Sequence, residues 1–260
     1  MNYTFLIIIV IILSIYLQYY CNIFKLYQIF TITKTIKKQK ANTTDLSEFC
    51  VEKILTKKNT KILSKQIKKD CKLWKKKNII MSILGTASYL ESAKHGFDFY
   101  NKEYLKTNKM LKRNYKQLYD IILNYFKKRC PESKVKYRFA LPGFHIFKCN
   151  TIFSLPVASV HKDLQYLDLN FKEPVDIDFD KTLSFTICLE LPKTGGGLYV
   201  FEDEKVKVEY QPGYIVCHNG KTSHMIAPSP VSNINELEYR ITLQGHGLYD
   251  KLSNTWYLYW

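Results

Sequence analysis

His161 and Asp163 stand two positions apart in the segment SVHKDLQY. On an extended segment, side chains at positions i and i+2 leave the same face, so both can reach one cation. An imidazole and a carboxylate on one edge make up two-thirds of a facial triad, the arrangement that holds ferrous iron and leaves coordination positions open. Because a His-x-Asp pair also arises by chance in many chains of this length, the pair alone is weak support for a metal site.

A third ligand is expected from a later strand, and two histidines compete for that role. His224 ends the segment PGYIVCHNGKTSH and lies 63 residues after His161, beyond an apolar run and a tight turn. His218 directly precedes the Asn219-Gly220 pair, which predicts a turn and places His218 at the end of a strand. The spacing favours His224 as the ligand and leaves His218 as the alternative.

Arg240 and Thr242 occupy alternate positions of the segment EYRITLQGHG, so a strand would place both on one face. If the apolar face packs against covering elements, the polar face looks into a barrel, where an unpaired guanidinium costs several kcal/mol. A bound carboxylate fits this position, because the guanidinium donates two parallel charge-assisted hydrogen bonds and the threonine hydroxyl adds a third. The alternative is an outward-facing arginine paired with a surface glutamate.

Together and in this order, these segments resemble the Fe(II)- and 2-oxoglutarate-dependent dioxygenase superfamily, particularly its prolyl 4-hydroxylase-like branch. The resemblance covers roughly residues 140–248 and rests on VHKD, LELPKTGGGLYVF at 189–201, the segment that ends in His224, and RIT at 240–242. It implies that His161, Asp163 and His224 bind the metal and are catalytic. It also implies that Arg240, with Thr242, binds the far carboxylate of 2-oxoglutarate. Many members of the branch carry lysine where Arg240 stands.

The resemblance further implies the cofactors and the reaction. Fe(II), 2-oxoglutarate as cosubstrate and O2, with ascorbate as an optional reductant, would serve the hydroxylation of an unactivated C–H bond, while 2-oxoglutarate becomes succinate and CO2. A peptidyl proline or lysine is the substrate expected by analogy with the family. Two rival functions stay open: a catalytically inactive membrane-tethered β-barrel binding module, and a cupin-like metalloenzyme that does not use 2-oxoglutarate.

The residues that follow Pro131 carry the period-two pattern of strands, most clearly in LSFTICLEL at 183–191. Similar short runs are separated by Pro192, the glycines at 195–197 and Pro212-Gly213, which is typical of an antiparallel sandwich or barrel. The predicted fold class is α+β. It comprises a double-stranded β-helix (jelly-roll or cupin-like barrel) at 131–260, N-terminal supporting helices and an N-terminal transmembrane helix.

Charge is distributed unevenly along the chain. The net charge is +16, and residues 25–130 hold 26 of the 39 Lys and Arg but only 8 of the 23 Asp and Glu. Apolar residues at three-to-four spacing over 45–77, and again over 101–129, predict amphipathic helices in a lysine-rich support region at 45–130. With only four arginines available to read base edges, the composition disfavours nucleic acid as a partner.

The N-terminal segment has the composition of a membrane span. No charged side chain precedes Lys25, and FLIIIVIILSIYL at 5–17 is apolar except for Ser14. This pattern predicts a single-pass transmembrane anchor at 1–24, followed by a basic juxtamembrane linker at 25–44. The lysines after the span favour a cytosolic catalytic domain, whereas the glycosylation sequon at Asn42 leaves a lumenal orientation as the alternative.

Overall fold

The computed structural model describes residues 34–149, 153, 158–202, 204–229 and 237–260. The predicted anchor at 1–24, and the part of the predicted linker that precedes residue 34, lie outside the described residues. Within these ranges, no helix combines the length and the apolar character that crossing a bilayer requires. The anchor therefore stays a prediction from composition.

The helices of the described chain are α1 (Lys57–Lys69), α2 (Ser88–His95) and α3 (Phe97–Arg129), with short 3-10 helices at Asp70–Leu73 and Gln165–Asp168. Thr56 caps α1, because its side chain accepts a hydrogen bond from the Asn59 backbone N–H at 3.1 Å. Helix α3 ends at Arg129, ahead of Pro131, as the sequence predicts, because proline cannot continue the helical hydrogen bonding.

Helix α3 bends at Tyr115, where the backbone leaves the helical region with φ −132° and ψ 24°. The Tyr115 hydroxyl donates to Asp70 Oδ2 at 2.7 Å, and its ring packs on Phe144 with centroids 4.9 Å apart. About three turns of helix beyond Tyr115, Phe126 packs against Phe185 of the sheet with centroids 5.0 Å apart. The apolar stripe of α3 therefore covers one face of the main sheet and leaves the other face free to line a site.

The region predicted as a helical support at 45–130 also contains strands, which corrects the helical interpretation of this region. β2 (Cys50–Lys53), β3 (Lys75–Lys76) and β4 (Met81–Leu84) join the same large sheet as strands beyond residue 131, and β1 (Lys34–Ile36) falls within the predicted linker. The apolar spacing did not reveal β2, because its conformation is set by pairing with distant residues along both of its edges.

The remaining strands are β5 (Lys134–Tyr137), β6 (Gly143–Cys149), β7 (Ile177–Glu190), β8 (Leu198–Phe201), β9 (Lys205–Val208), β10 (Tyr214–Asn219), β11 (Ser223–Ile226), β12 (Glu238–Asp250) and β13 (Thr255–Tyr259). The smaller sheet has the order β1-β9-β8-β11. The larger has the order β2-β10-β7-β12-β6-β4-β3, with β13 paired to both β12 and β5.

From β7 onward the chain alternates between the two sheets. β7, β10 and β12 lie in the large sheet, whereas β8, β9 and β11 lie in the small one. This winding is that of a jelly roll, in which two sheets face each other across a core. The predicted double-stranded β-helix is therefore confirmed as a jelly-roll-type, sheet-rich fold.

Strand β12 has neighbours along both edges. Residues 238–244 pair with β6, residues 246–250 pair with β13, and β7 runs beside the strand from 241 to 250. A register shift against β7 falls between Ile241 and Thr242, and such a bulge re-aims nearby side chains. Arg240, Thr242 and Gln244 face the cavity between the sheets.

Candidate active site

Backbone pairing brings His161 and His224 together. The two residues form an isolated antiparallel bridge with reciprocal N–H···O hydrogen bonds of 3.0 and 2.9 Å. Two residues further along, the backbone N–H of Asp163 donates to the Gly220 carbonyl at 2.8 Å, which fixes Asp163 beside the turn between β10 and β11. The imidazole centroids of His161 and His224 lie 4.5 Å apart. Residues that are distant in sequence thus share one edge of the barrel.

The side chains of His161, Asp163 and His224, here called the metal triad, converge. His161 Nε2 lies 3.9 Å from Asp163 Oδ1, and His224 Nε2 lies 3.4 Å from Asp163 Oδ2. One potential ligand atom from each residue lies within 4.8 Å of the other two. The Nδ1 atoms of His161 and His224 approach the carbonyls of Ser159 and Thr222 at 2.8 and 2.9 Å. These contacts favour a proton on Nδ1 and leave the Nε2 lone pairs for a metal.

Asp163 is 3 % exposed, yet its surroundings keep the carboxylate ionised. Burial acts to raise the pKa of Asp163, but neighbouring groups outweigh burial and hold the pKa well below its usual range. These groups are the imidazoles of His246, His224 and His218 and the hydroxyl of Ser184. Ser184 Oγ donates to Oδ2 at 2.5 Å, and Gln165 Nε2 donates to Oδ1 at 3.0 Å.

The buried imidazoles of His218, His224 and His246 are neutral at physiological pH. Burial, with the charge of His224 as the second cause, lowers the pKa of His218 to about 3, and burial also lowers the pKa of His224 and His246. The site therefore carries one buried negative charge, which no lysine or arginine of the described residues pairs with. Neutral imidazole nitrogens and an ionised carboxylate are the donors that a divalent transition metal requires, so the residues fit Fe(II).

Arg240 is the second buried charge, with 2 % of its surface exposed. Its Nε donates to the Gly196 carbonyl at 2.8 Å, and a terminal nitrogen approaches Thr242 Oγ1 at 3.4 Å. The guanidinium lies 5.6 Å from the ring centroid of Phe147 and 5.4 Å from that of Tyr210. Burial lowers the pKa of Arg240, and no carboxylate in the described part of the chain pairs with it. The position therefore fits an anionic ligand.

The metal triad and Arg240 line one cavity of about 230 Å³. Tyr89 of α2 and His145 of β6 also line it, with the Tyr89 hydroxyl 2.7 Å from His145 Nε2. Burial lowers the pKa of His145 to about 3, so the imidazole is neutral, and its tautomer decides which of the two groups donates the hydrogen bond. Apolar side chains complete the walls, among them Ile80, Leu198 and Ile226. Two opposite charges therefore face a mostly apolar space.

The structure places all five predicted site residues, His161, Asp163, His224, Arg240 and Thr242, on this cavity. His224 belongs to the group of potential ligands. The competing His218 also lines the cavity, with its ring centroid 4.6 Å from that of His224, and its Nδ1 approaches the Asn219 carbonyl at 2.8 Å. His218 is not part of that group of potential ligands.

Several residues near the site were missed by the sequence reasoning: Tyr89, His145, Gln165, Ser184, Tyr210 and His246. The period-two pattern of the strands could have indicated two of these residues. Ser184 is a polar position of LSFTICLEL, and His246 extends the alternation that begins at Arg240. Tyr89 carried no signal, because a helix outside the barrel brings it to the cavity.

No protein-family model matches this sequence, and no curated protein sequence matches it either. Solved structures do match. An oxidoreductase of the 2OG-Fe(II) oxygenase family from Burkholderia pseudomallei aligns over 82 % of this chain and 93 % of its own, with a TM-score of 0.50 and 8 % identity. A prolyl-4-hydroxylase from Pseudomonas putida aligns over 75 % of this chain and 89 % of its own, with a TM-score of 0.37 and 14 % identity.

A prolyl hydroxylase from Trichoplax adhaerens also aligns, over 80 % of this chain and 86 % of its own, with a TM-score of 0.46 and 14 % identity. At such low identity the likeness to the Burkholderia pseudomallei protein shows a shared fold and nothing finer. The fold is that of the Fe(II)- and 2-oxoglutarate-dependent oxygenases, and the resemblance predicted from the sequence is confirmed at this level.

Proposed function

We propose that this protein is an Fe(II)- and 2-oxoglutarate-dependent dioxygenase that hydroxylates an unactivated C–H bond. One observation carries the proposal: an ionised carboxylate flanked by two imidazoles and a buried guanidinium without an acidic partner line the same cavity. The first group needs a cation and the second needs an anion. Ferrous iron and 2-oxoglutarate meet both needs at once.

In this proposal, His161, Asp163 and His224 hold the iron. The hydrogen bonds from their Nδ1 atoms to backbone carbonyls orient the two imidazoles, and those from Ser184 and Gln165 orient the carboxylate. When bound, iron with 2-oxoglutarate and O2 supplies the oxidation, in which 2-oxoglutarate becomes succinate and CO2. The protein supplies fixed ligands and a mostly apolar cavity.

Arg240 holds the far carboxylate of 2-oxoglutarate. Its Nε is engaged by the Gly196 carbonyl, which fixes the plane of the guanidinium and leaves the terminal nitrogens for the ligand. The Thr242 hydroxyl lies beside one of these nitrogens and offers a further hydrogen bond. The aromatic rings of Phe147 and Tyr210 exclude water around this pair, which strengthens a charge-assisted hydrogen bond.

The finer parts of the proposal rest on the sequence. Hydroxylation of a peptidyl proline or lysine follows from the family resemblance. Attachment to a membrane by a single N-terminal span, with the catalytic domain in the cytosol, follows from the apolar run at 5–17 and the lysines beyond it. Ascorbate as a reductant likewise follows from the resemblance.

Release of succinate from isotopically labelled 2-oxoglutarate tests the activity. The purified protein is incubated with Fe(II) in air, and the label makes slow turnover measurable without the hydroxylated substrate. We expect succinate from the wild type and only background from His161→Ala, because the variant lacks one metal ligand. His95→Ala, which removes an exposed imidazole of α2, should behave as the wild type. Equal background in the wild type and in His161→Ala would favour the inactive binding module.

A further inference from the structure

His246 is a buried imidazole that the proposed reaction does not use. The residue is 1 % exposed, and neither of its ring nitrogens has a hydrogen-bond partner among the described residues. Leaving a buried polar group unpaired costs about 1–3 kcal/mol. We expect such a side chain to form a hydrogen bond in another state of the protein, for example when a ligand is bound. The groups around His246 indicate which partner that is.

Cross-strand register places His246 beside the metal triad. On β12 it lies opposite Ser184 of β7, and Ser184 lies opposite His218 of β10 on its other side. Residues directly opposite in neighbouring strands point to the same face of a sheet. Ser184 donates to Asp163 Oδ2, so the sheet directs this whole row of side chains at the carboxylate.

The distance from His246 Nδ1 to Asp163 Oδ2 is 3.8 Å, which is too long for a hydrogen bond but within reach of a small rotation of either side chain. His246 does not line the cavity and is not part of the group of potential ligands. It therefore stands behind the carboxylate, where it can orient Asp163 but is not placed to bind the metal. A neutral imidazole has one N–H available for this purpose.

We propose that His246 is a positioning residue, whose ring N–H donates to the Asp163 carboxylate and fixes its orientation when the metal binds. This inference rests on the proposed function, because it presumes a metal at the triad. Partners that orient a metal ligand commonly contribute a factor of 10 to 100 to metal affinity. In the metal-free protein the same imidazole lacks a hydrogen-bond partner within the described part of the chain. His246 should therefore favour metal binding but lower the stability of the metal-free protein.

Binding of Co(II) alone to the metal-free protein, followed by absorption spectroscopy, tests the inference together with urea unfolding. For His246→Phe, which keeps a ring but removes both nitrogens, we expect Co(II) affinity to fall by about 10- to 100-fold. We expect its unfolding free energy without metal to equal or exceed that of the wild type. His246→Gln, which restores an N–H donor, should recover most of the affinity.

Tyr259→Phe is the matched control, because the Tyr259 ring packs on His246 with centroids 5.5 Å apart and the variant keeps both rings. It should bind Co(II) as the wild type does. Unchanged Co(II) affinity in His246→Phe, or equal loss of affinity and of metal-free stability in both His246 variants, would overturn the positioning role. Failure of the wild type itself to bind Co(II) would overturn the proposed metal site, and with it this inference.

Discussion

Asp163 and Arg240 are both buried in the same cavity, but the protein treats the two charges differently. Asp163 accepts hydrogen bonds from Ser184 and Gln165 and is surrounded by imidazoles. Arg240 contacts one backbone carbonyl, one hydroxyl and two aromatic rings. Neither has an oppositely charged side chain within the described residues. Each charge is oriented by neutral groups and left uncompensated.

This difference shows how a cavity can specify two ligands of opposite charge. No salt bridge joins Asp163 and Arg240, which belong to different elements: a segment paired with the small sheet and a strand of the large sheet. A buried charge without an oppositely charged partner lowers the stability of the protein without its ligands. Such a charge therefore favours binding of a ligand of opposite charge. The two ends of the cavity should therefore respond separately to substitution.

The largest expected effect is a separation of the two binding functions. Asp163→Asn should lower Co(II) affinity by more than about 100-fold, which exceeds the usual effect of an outer-shell partner, because the site loses its only charged donor. Arg240→Met should leave Co(II) affinity unchanged and raise the KM for 2-oxoglutarate by about 10- to 150-fold, as expected for a charge-assisted hydrogen bond of about 1.5–3 kcal/mol. Metal titration and succinate kinetics measure the two effects.

Arg240→Lys is the matched variant, because it keeps the charge and loses the planar fork, and it should give an intermediate KM. Asp180→Asn, which alters an exposed carboxylate, should match the wild type in both assays. If Arg240→Met retained full metal-dependent activity, the proposed role of Arg240 in binding a carboxylate would be contradicted. The cupin-like enzyme that does not use 2-oxoglutarate would then be favoured.

A smaller effect is expected at His145, a neutral residue of the cavity wall whose pKa is influenced by both Asp163 and Arg240. The pKa of His145 is about 3 in the folded protein, chiefly because of burial, against about 6.5 in an unfolded chain. Between these values the unfolded chain binds a proton that the folded protein does not. Acidification from pH 6.5 should therefore lower the unfolding free energy by about 1.4 kcal/mol per pH unit through this residue alone, down to about pH 3.

Urea unfolding of the metal-free protein at pH 7, 6 and 5 measures this slope. His145→Gln should have a shallower dependence than the wild type, by about 0.7 kcal/mol between pH 7 and 6 and by about 1.2 kcal/mol between pH 6 and 5, since it removes the titrating group. His95→Gln, which alters an exposed imidazole, should keep the wild-type slope. Parallel slopes in the wild type and His145→Gln would show that His145 is protonated in the folded state.

The smallest expected effect lies at Thr242. Thr242→Val removes the hydroxyl and keeps the shape, so the KM for 2-oxoglutarate should rise by about 2- to 12-fold, as expected for a neutral hydrogen bond of about 0.5–1.5 kcal/mol. Thr242→Ser should restore the wild-type KM. A KM that is unaffected by Thr242→Val would limit recognition of the anion to Arg240.

Strand periodicity predicted the barrel and the face that Arg240 and Thr242 share, because alternation along a strand is a local property. The spacing from His161 and the Asn219-Gly220 turn directly after His218 led His224 to be preferred over His218. The strands β2 and β4 escaped prediction, because long-range pairing rather than local pattern makes them strands. The same limit applies to Tyr89, which reaches the cavity only through the packing of α2 against the barrel.

The pairing of β12 along both edges has a consequence for the choice of cosubstrate. A strand held on two sides cannot slide, so the reach between the guanidinium and the opposite end of the cavity is set by main-chain spacing. The distance between the two ends of the cavity therefore favours ligands of one length. If 2-oxoglutarate binds as proposed, we expect dicarboxylates that are one methylene shorter or longer to bind more weakly, even though they carry the same charge.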